Sequence, residues 1–340
     1  MATRLSPGNS EVNALEQRGY LISKKIGQVV YCSLLASSKK MRLAYKIFDK
    51  EKAPNDFLDK FFPRELEILT KIENLHIIQI RVHSILQRGP RVFIFMRYAD
   101  NGDLLDFVQT NGNGAGTTVA IMASGLHYLH SKNITHRHLK YENILLSRKF
   151  NVKLADFGFA RFCMDHEGRR VLSQTYCGPA AYAAPEVVAG TLYNPVQPKL
   201  ADVWSLGIIL FIMLNATMPF DDENLRKLLK DQMSRNWVFR SVSALAKSIV
   251  RQIFEPDITL RLTLERVLGH EWVRARKDRT GCLAGRLIYS APPSHTPVTT
   301  NSINYRITFK VPGLLVIVDY DNRSEEFFSM HYKKHFFVRY

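Results

Sequence analysis

Five short segments, in a fixed order along the chain, hold the residue types that can handle a phosphate. Lys46 ends Leu43-Ala-Tyr-Lys46, a strand-like run from which its ammonium can pair with phosphate oxygens. Glu65, in the helix-like Arg64-Glu65, is the carboxylate expected to aim it. Asn143 ends His136-Arg-His-Leu-Lys-Tyr-Glu-Asn143 and Asp156 opens Asp156-Phe-Gly158; both present hard oxygen atoms of the kind magnesium prefers. Ala184-Pro-Glu186 follows. Moving a phosphoryl group requires its negative charge to be held and neutralised while an acceptor hydroxyl is lined up, so positioning and electrostatics make up most of the catalysis.

Such residues need elements to carry them. From Leu21 to about Leu86 short apolar runs alternate with turn material, interrupted by a helix-like stretch from Phe61 to Ile72, and strand character returns at Ser84 to Leu86 and Val92 to Tyr98. After Asp100-Asn101-Gly102 longer helical periods take over, at Val119 to His130, Leu200 to Leu214, Asp222 to Met233 and Leu245 to Phe254. A small β-rich lobe therefore precedes a larger α-rich one, joined near residues 97 to 102, and the cleft between unlike lobes is the place for a ligand. Past Trp272 a Pro-rich connector, Ala291-Pro-Pro-Ser-His-Thr-Pro, leads to alternation at Tyr305, Ile307, Phe309 and Val311, which Pro312-Gly313 can turn back into Leu314 to Val318. A hairpin near 304–320 and an unpacked tail are the two readings of that region.

Composition bounds the answer. The 340 residues, 46% hydrophobic and 23% charged, supply apolar material for one large or two ordinary globular domains and exclude disorder as the main state. A net charge of +16 attracts polyanions, but the charge is spread over the whole chain and gives a nucleic-acid reading no focus. Cys32, Cys163, Cys177 and Cys282 stand far apart with no C-x-x-C pair, which suits neither a zinc site nor a disulfide framework and points to a reducing compartment. The N-terminal stretch has no apolar signal core, and the longest apolar run, Gly207 to Leu214, falls short of the roughly 20 residues that span a bilayer. A soluble, cytoplasmic protein is expected, with the nucleus left open.

Taken together with Asp202-Val-Trp-Ser-Leu-Gly207 and Arg261, the five segments resemble the protein-kinase signature set. Asp156-Phe-Gly-Phe-Ala, Tyr176-Cys-Gly, Ala181-Tyr-Ala-Ala-Pro-Glu186 and Met218-Pro-Phe-Asp-Asp-Glu223 are similar to the calcium/calmodulin-kinase group, and within it to testis-specific serine/threonine kinases. The likeness runs from about residue 20 to 273 and does not cover the basic tail, 274–340. It implies an α+β, bilobal fold: an N-terminal extension at 1–19, an N-lobe at about 20–96, a hinge at 97–102 and a C-lobe at 103–273. By the same resemblance Gly27, Lys46, Glu65, the gatekeeper Met96 and Asp156 hold ATP, and Asn143 and Asp156 hold Mg2+. The residue at 138, with Lys140 and Asn143, works at the transfer. Glu186 and Arg261 form a buried structural ion pair. Asp103 and Glu142 recognise ribose and a substrate arginine, and phosphate on Thr175, in a loop that also carries Ser173 and Tyr176, pairs with Arg137.

The chain departs from the pattern where the chemistry is densest. The glycine-rich loop reads Gly27-Gln-Val-Val-Tyr-Cys32, with Val29 and Cys32 where glycines are expected. A β-branched residue at 29 should push the loop away or leave it extended, weakening the grip on nucleotide. His138 stands where an aspartate should take the proton of the acceptor hydroxyl, and losing a positioned base costs about 100- to 10,000-fold. Neutral imidazole can accept a proton, but it is bulkier than carboxylate, and its nitrogen would not stand where the carboxylate oxygens stood. Pro179 replaces the Ser or Thr that would hydrogen-bond that aspartate, so two partners of one bond are lost together. Arg97 replaces an acidic hinge residue, and the segment from Thr110 to His127 looks short.

Two readings follow. In the first, a pseudokinase with a partial Mg-ATP site and impaired phosphotransfer works by binding a protein partner. In the second, an active serine/threonine kinase phosphorylates arginine-directed basic motifs through His138 or by positioning alone. Basic patches at Arg274 to Arg279 and Lys333-Lys334, interleaved with Phe327-Phe328 and Phe336-Phe337, fit a solvated face or a docking surface better than a nucleic-acid groove.

Overall fold

The computed structural model describes residues 9–26, 29–36, 39–51, 62–78, 85–104, 115–148, 150–164, 167, 169, 179–190, 198–277, 305–311 and 314–320. Two compact units are present, Met1–Ala284 and Gly285–Tyr340.

The first unit opens with helix α1 (Asn9–Glu16), followed by β1 (Tyr20–Ile26), β2 (Val29–Ala36) and β3 (Lys39–Asp49). Helix α2 (Phe62–Lys71) interrupts the strands, and β4 (Ile85–Arg88) and β5 (Arg91–Arg97) complete an antiparallel sheet ordered β1-β2-β3-β5-β4. Strand β3 is central, so Lys46 lies opposite Val29 of β2 on one side and Ile94 of β5 on the other. On α2, Phe62, Glu65, Ile68 and Leu69 are buried, a three-and-four spacing that places a carboxylate on the inward stripe.

The α-rich part begins with α3 (Ala115–Ser131), then the short strands β6 (Ile134–Thr135), β7 (Ile144–Leu146), β8 (Val152–Leu154) and β9 (Arg161–Phe162). β6 pairs with β9 and β7 with β8, so two small ladders clamp the segments that hold His138, Asn143 and Asp156. Then come α4 (Pro185–Val188), α5 (Pro198–Asn215), α6 (Leu225–Met233), α7 (Ala244–Ile253), α8 (Leu264–Gly269) and α9 (Glu271–Lys277). Asn224 caps α6 by accepting from the Arg226 and Lys227 amides, which is why that helix starts after the Asp222 that periodicity alone would choose.

Helix α5 is long and apolar enough, by length and composition, to cross a membrane. Leu200, Val203, Trp204, Leu206 and the run from Ile208 to Phe211 are instead buried, with α3 and α7 packed against the helix and Asp202 among the buried residues. A helix apolar on all sides is a core helix in such surroundings. Trp204 packs at a tilt against Phe254, 5.0 Å between centroids, and the Arg261 guanidinium lies 4.9 Å over the Trp204 ring.

Residues 9–16, which the sequence sets outside the domain, are pinned to the β-sheet. Leu15 is buried, Tyr20 stacks on Phe95 at 4.2 Å, and Glu11 meets Arg91 at 2.7 Å while Arg91 also reaches Asp49 at 3.5 Å. Arg88 donates to the Ser10 carbonyl.

The second unit carries β10 (Tyr305–Val311) and β11 (Leu314–Tyr320), antiparallel and in register from Val311↔Leu314 to Tyr305↔Tyr320. The two strands lie where the alternation of residues 305–311 and the Pro312-Gly313 pair anticipate a hairpin.

Because Leu15 is deeply buried and the Glu11–Arg91 pair is partly solvated, their loss should differ in size. Leu15→Ala is expected to lower stability by about 2–5 kcal/mol and Glu11→Ala by less than about 1 kcal/mol, read from urea unfolding midpoints. Equal, small effects would show that α1 is not part of the folded lobe.

Candidate active site

Lys46, Glu65, Asp156, His138 and Asn143 form one unbroken chain of contacts. Lys46 Nζ lies 3.3 Å from Glu65 Oε1 and 3.2 Å from Asp156 Oδ1. His138 Nδ1 is 3.3 Å from Asp156 Oδ2 and 3.1 Å from Asn143 Nδ2, and Asn143 Nδ2 also donates to the His138 carbonyl at 2.8 Å. The outer face of the imidazole meets Phe159 edge-on at 4.8 Å between centroids, leaving His138 only 11% exposed.

The electrostatics are those of a shared charge cluster. Burial disfavours the Lys46 ammonium, but Glu65 and Asp156 outweigh it and hold its pKa above the usual lysine range. For Glu65 burial wins and the pKa is raised, although Lys46 pulls it back. For Asp156 burial is overcome by Lys46 and His138, which hold its carboxyl well below the usual carboxylate range. Glu65 Oε2 is buried without a hydrogen-bond partner, an orphan acceptor at the rear of the cluster.

The loop that carries His138 is held from below. Asp202 accepts from the backbone amides of His136 at 2.8 Å and Arg137 at 2.7 Å, and bonds His130 Nε2 at 2.9 Å. These partners overcome its burial and hold its pKa down. Fully buried His136 donates from Nε2 to the Ala155 carbonyl at 3.0 Å and accepts the His138 amide on Nδ1 at 3.3 Å; burial pushes its pKa down, which suits this neutral tautomer. Arg137 and Asp156 both adopt left-handed backbone, with φ of 62° and 61°, the kind of strain that gathers at functional sites. The sequence reading used Asp202 only as the first residue of the Asp202-Val-Trp-Ser-Leu-Gly207 segment and gave its side chain no task. The available signal was an aspartate inside an otherwise apolar helical run.

The remaining sequence-predicted residues fall in distinct places. Met96 lies in β5 opposite Ala44, and Arg97 ends that strand, exposed. Lys140 is half-buried beside the cluster with no ion pair among the described residues. Glu142 is exposed on a 3-10 turn, Tyr141–Asn143, and Asp103 is bridged through its backbone to Leu145, so both sit apart from the charge cluster. Glu186 and Arg261 meet bidentately at 2.7 and 2.8 Å, and Arg261 donates further to the carbonyls of Glu255 and Leu200. Pro179, exposed, precedes a 3-10 turn, Ala180–Tyr182, that Asp222, Ser205 and Gln232 tie down. Gly27, Ser173, Thr175 and Tyr176 lie outside the described residues, as does most of the start of the Thr110 to His127 segment. Val29 is already a strand residue, its backbone paired with Ile26.

Among the described residues no three His, Cys, Asp or Glu side chains are gathered around a common point, so there is no all-protein metal cage there. The donor chemistry fits a magnesium ion shared with a ligand: Asp156 is kept ionised, and Asn143 spends its amide nitrogen on the chain, leaving its carbonyl oxygen.

A two-lobed α+β architecture with this lysine–glutamate–aspartate cluster at its centre defines a class. The chain belongs to the protein kinase family, whose domain model matches residues 21–273. That family generally uses ATP and Mg2+. Among its curated relatives, testis-specific serine/threonine-protein kinase 1 of Mus musculus is 39% identical over 274 residues, covering 77% of this chain and 74% of the relative. Testis-specific serine/threonine-protein kinase 3 of Mus musculus is 38% identical over 270 residues, covering 76% and 97%, and testis-specific serine/threonine-protein kinase 4 of Homo sapiens is 36% identical over 281 residues, covering 76% and 84%.

Asp202 should dominate the stability of the site. Asp202→Ala strands two amides and is expected to cost roughly 3–5 kcal/mol. Its folded-state pKa is depressed, so the contribution is present above the unfolded carboxylate value near 3.9 and is lost as pH falls toward the folded value. The wild-type advantage in urea midpoint should therefore shrink below about pH 4; a gap unchanged from pH 7 to pH 3 would remove the carboxylate from this role.

Proposed function

We propose that this chain is a serine/threonine-kinase-like protein that keeps a partial Mg-ATP site, transfers phosphate poorly, and acts by binding a protein partner in the cytoplasm. The observation that carries the reading is the mismatch within one site. The phosphate-handling pair Lys46–Glu65 is assembled and meets Asp156, while the residue at the base position is an imidazole whose Nδ1 is turned inward, onto Asp156 and Asn143.

In this reading Lys46 orients the nucleotide phosphates and Glu65 holds Lys46 extended, with burial keeping the pair strong. Asn143 and Asp156 would hold magnesium, which when bound neutralises phosphate charge. Met96 borders the base-binding side. Lys140 adds positive charge near the acceptor. By the resemblance Arg137 would meet a phosphate on Thr175, and Asp103 and Glu142 would meet ribose and a basic substrate. No carboxylate is offered at position 138 to take the hydroxyl proton, and Pro179 has no hydroxyl to steady one. The expected deficit is the roughly 2.7–5.5 kcal/mol of barrier that a positioned base removes.

One observation favours the second reading, an active kinase. His138 Nδ1 lies 3.3 Å from Asp156 Oδ2, and a ring proton on Nδ1 would leave Nε2 to accept another, the arrangement that carboxylate–histidine pairs use in other enzymes.

Two assays separate the readings. Millimolar ATP with magnesium should raise the melting temperature of the wild type and not of Lys46→Met, since a ligand that binds only the folded state stabilises it by RT ln(1 + [L]/Kd). Phosphotransfer to an arginine-containing serine peptide should be at least about 100-fold slower in the wild type than in His138→Asp. Equal or faster transfer by the wild type would replace the first reading by the second, and transfer by neither would spread the damage to Val29 and Pro179.

A further inference from the structure

Away from the charge cluster, a pocket of about 200 Å3 lies between the connector that joins α6 to α7 and helix α7, lined by Arg235, Trp237, Phe239 and Arg251. That is below the roughly 300–1,000 Å3 of small-molecule sites and leaves room for one large side chain. Its two rings are anchored: Trp237 meets Phe220 and Phe254 edge-on, and Phe239 packs at a tilt on Phe211, 5.5 Å between centroids. Val238, between them, is 80% exposed and Met233, at the end of α6, is 57% exposed, so the connector turns apolar surface outward beside the pocket. The two guanidiniums differ. Both oxygens of Glu255 accept from Arg235 Nη2. Arg251 is exposed, lies 6.0 Å from the Phe239 ring centroid, and has no ion pair among the described residues, since the carboxylate four residues on is the one spent on Arg235. Lys247, one turn earlier on the same face of α7, has no ion pair among the described residues either, and like charges at that spacing are unfavourable by themselves.

We propose that this pocket receives an aromatic side chain flanked by carboxylates, presented by an acidic segment of a protein partner. The proposal rests on the partner-binding part of the proposed function and names that partner's chemistry. An incoming ring would meet Trp237, Phe239 and the Arg251 guanidinium together, the aromatic and arginine combination that dominates the binding energy of protein interfaces. Its flanking carboxylates would supply the counter-ions that Arg251 and Lys247 lack, and the net charge of +16 steers an acidic partner toward this chain. A nucleic-acid backbone calls for a row of cations that tracks its phosphates, whereas here two cations stand beside exposed Val238 and Met233.

The full chain is titrated into a fluorescein-labelled hexapeptide of glutamates around a central phenylalanine, with binding read by fluorescence anisotropy. Acrylamide quenching of Trp237 is the second readout, because Trp204 and Trp272 are buried. The peptide is expected to bind at about 10–100 µM in low salt, to shield Trp237, and to weaken at least about tenfold when its phenylalanine is replaced by alanine or its glutamates by glutamines. Arg251→Glu should weaken binding at least about tenfold and Lys247→Glu about threefold. Ligand-free melting curves report whether each variant folds, and Arg251→Gln, which keeps a long polar side chain beside Phe239, replaces Arg251→Glu if that variant does not. Peptide binding that ignores Arg251, or that persists when the glutamates are gone, overturns the proposal. So does a tighter Arg251-dependent complex with oligouridine RNA or with phosphatidylserine vesicles. Absence of peptide binding in a chain that still shows the ATP-dependent melting shift and slow phosphotransfer overturns this proposal alone. Wild-type transfer as fast as that of His138→Asp overturns the proposed function, which the peptide titration does not measure.

Discussion

The lower half of the molecule is organised around a single buried carboxylate. Asp202 points out of an apolar helix into the turn that precedes His138 and receives two main-chain amides and an imidazole. A buried charge is tolerable only when its hydrogen-bonding capacity is met, so this aspartate fixes the turn as much as the turn satisfies it. From there the constraint passes to His136, whose ring bridges Ala155 and the His138 amide, and so to the backbone on both sides of the cleft. The left-handed residues Arg137 and Asp156 are held where a free chain would rarely leave them.

The upper half is held by a different logic. Lys46 comes from the central strand of a sheet and Glu65 from the inward stripe of helix α2, which interrupts that sheet, and the ammonium lies 5.0 Å over the Phe48 ring. The sheet continues through Val29, where a glycine would have left the backbone free, and a β-branched residue suits a paired strand. The lobe has thus kept the electrostatic half of a phosphate site, beside a β2 that is already strand at Val29.

Much of this was legible in the order of the chain. The two-lobed α+β class, the long helices, the Lys46–Glu65 pair and the Glu186–Arg261 pair follow from periodicity, from motif order and from the rule that like positions in a known pattern do like things. What was not legible is local and directional. Helices α8 and α9, of six and seven residues, are too short to show a period, and strands of two or three residues carry no alternation. Helix α1 reads as a polar extension because one buried side chain, Leu15, and polar contacts through Ser10 and Glu11 make its attachment. The side on which His138 presents Nδ1, and the fact that Asp202 faces amides rather than solvent, depend on rotamers and neighbours that come together only in three dimensions.

Position 138 has one further property. The carbonyl and amide of residue 138 are bonded by Asn143 and His136 whatever side chain the position carries. The loop is therefore a socket whose occupant can be exchanged without rebuilding the socket. A lineage could pass from carboxylate to imidazole in a single codon step and keep the same folded loop throughout.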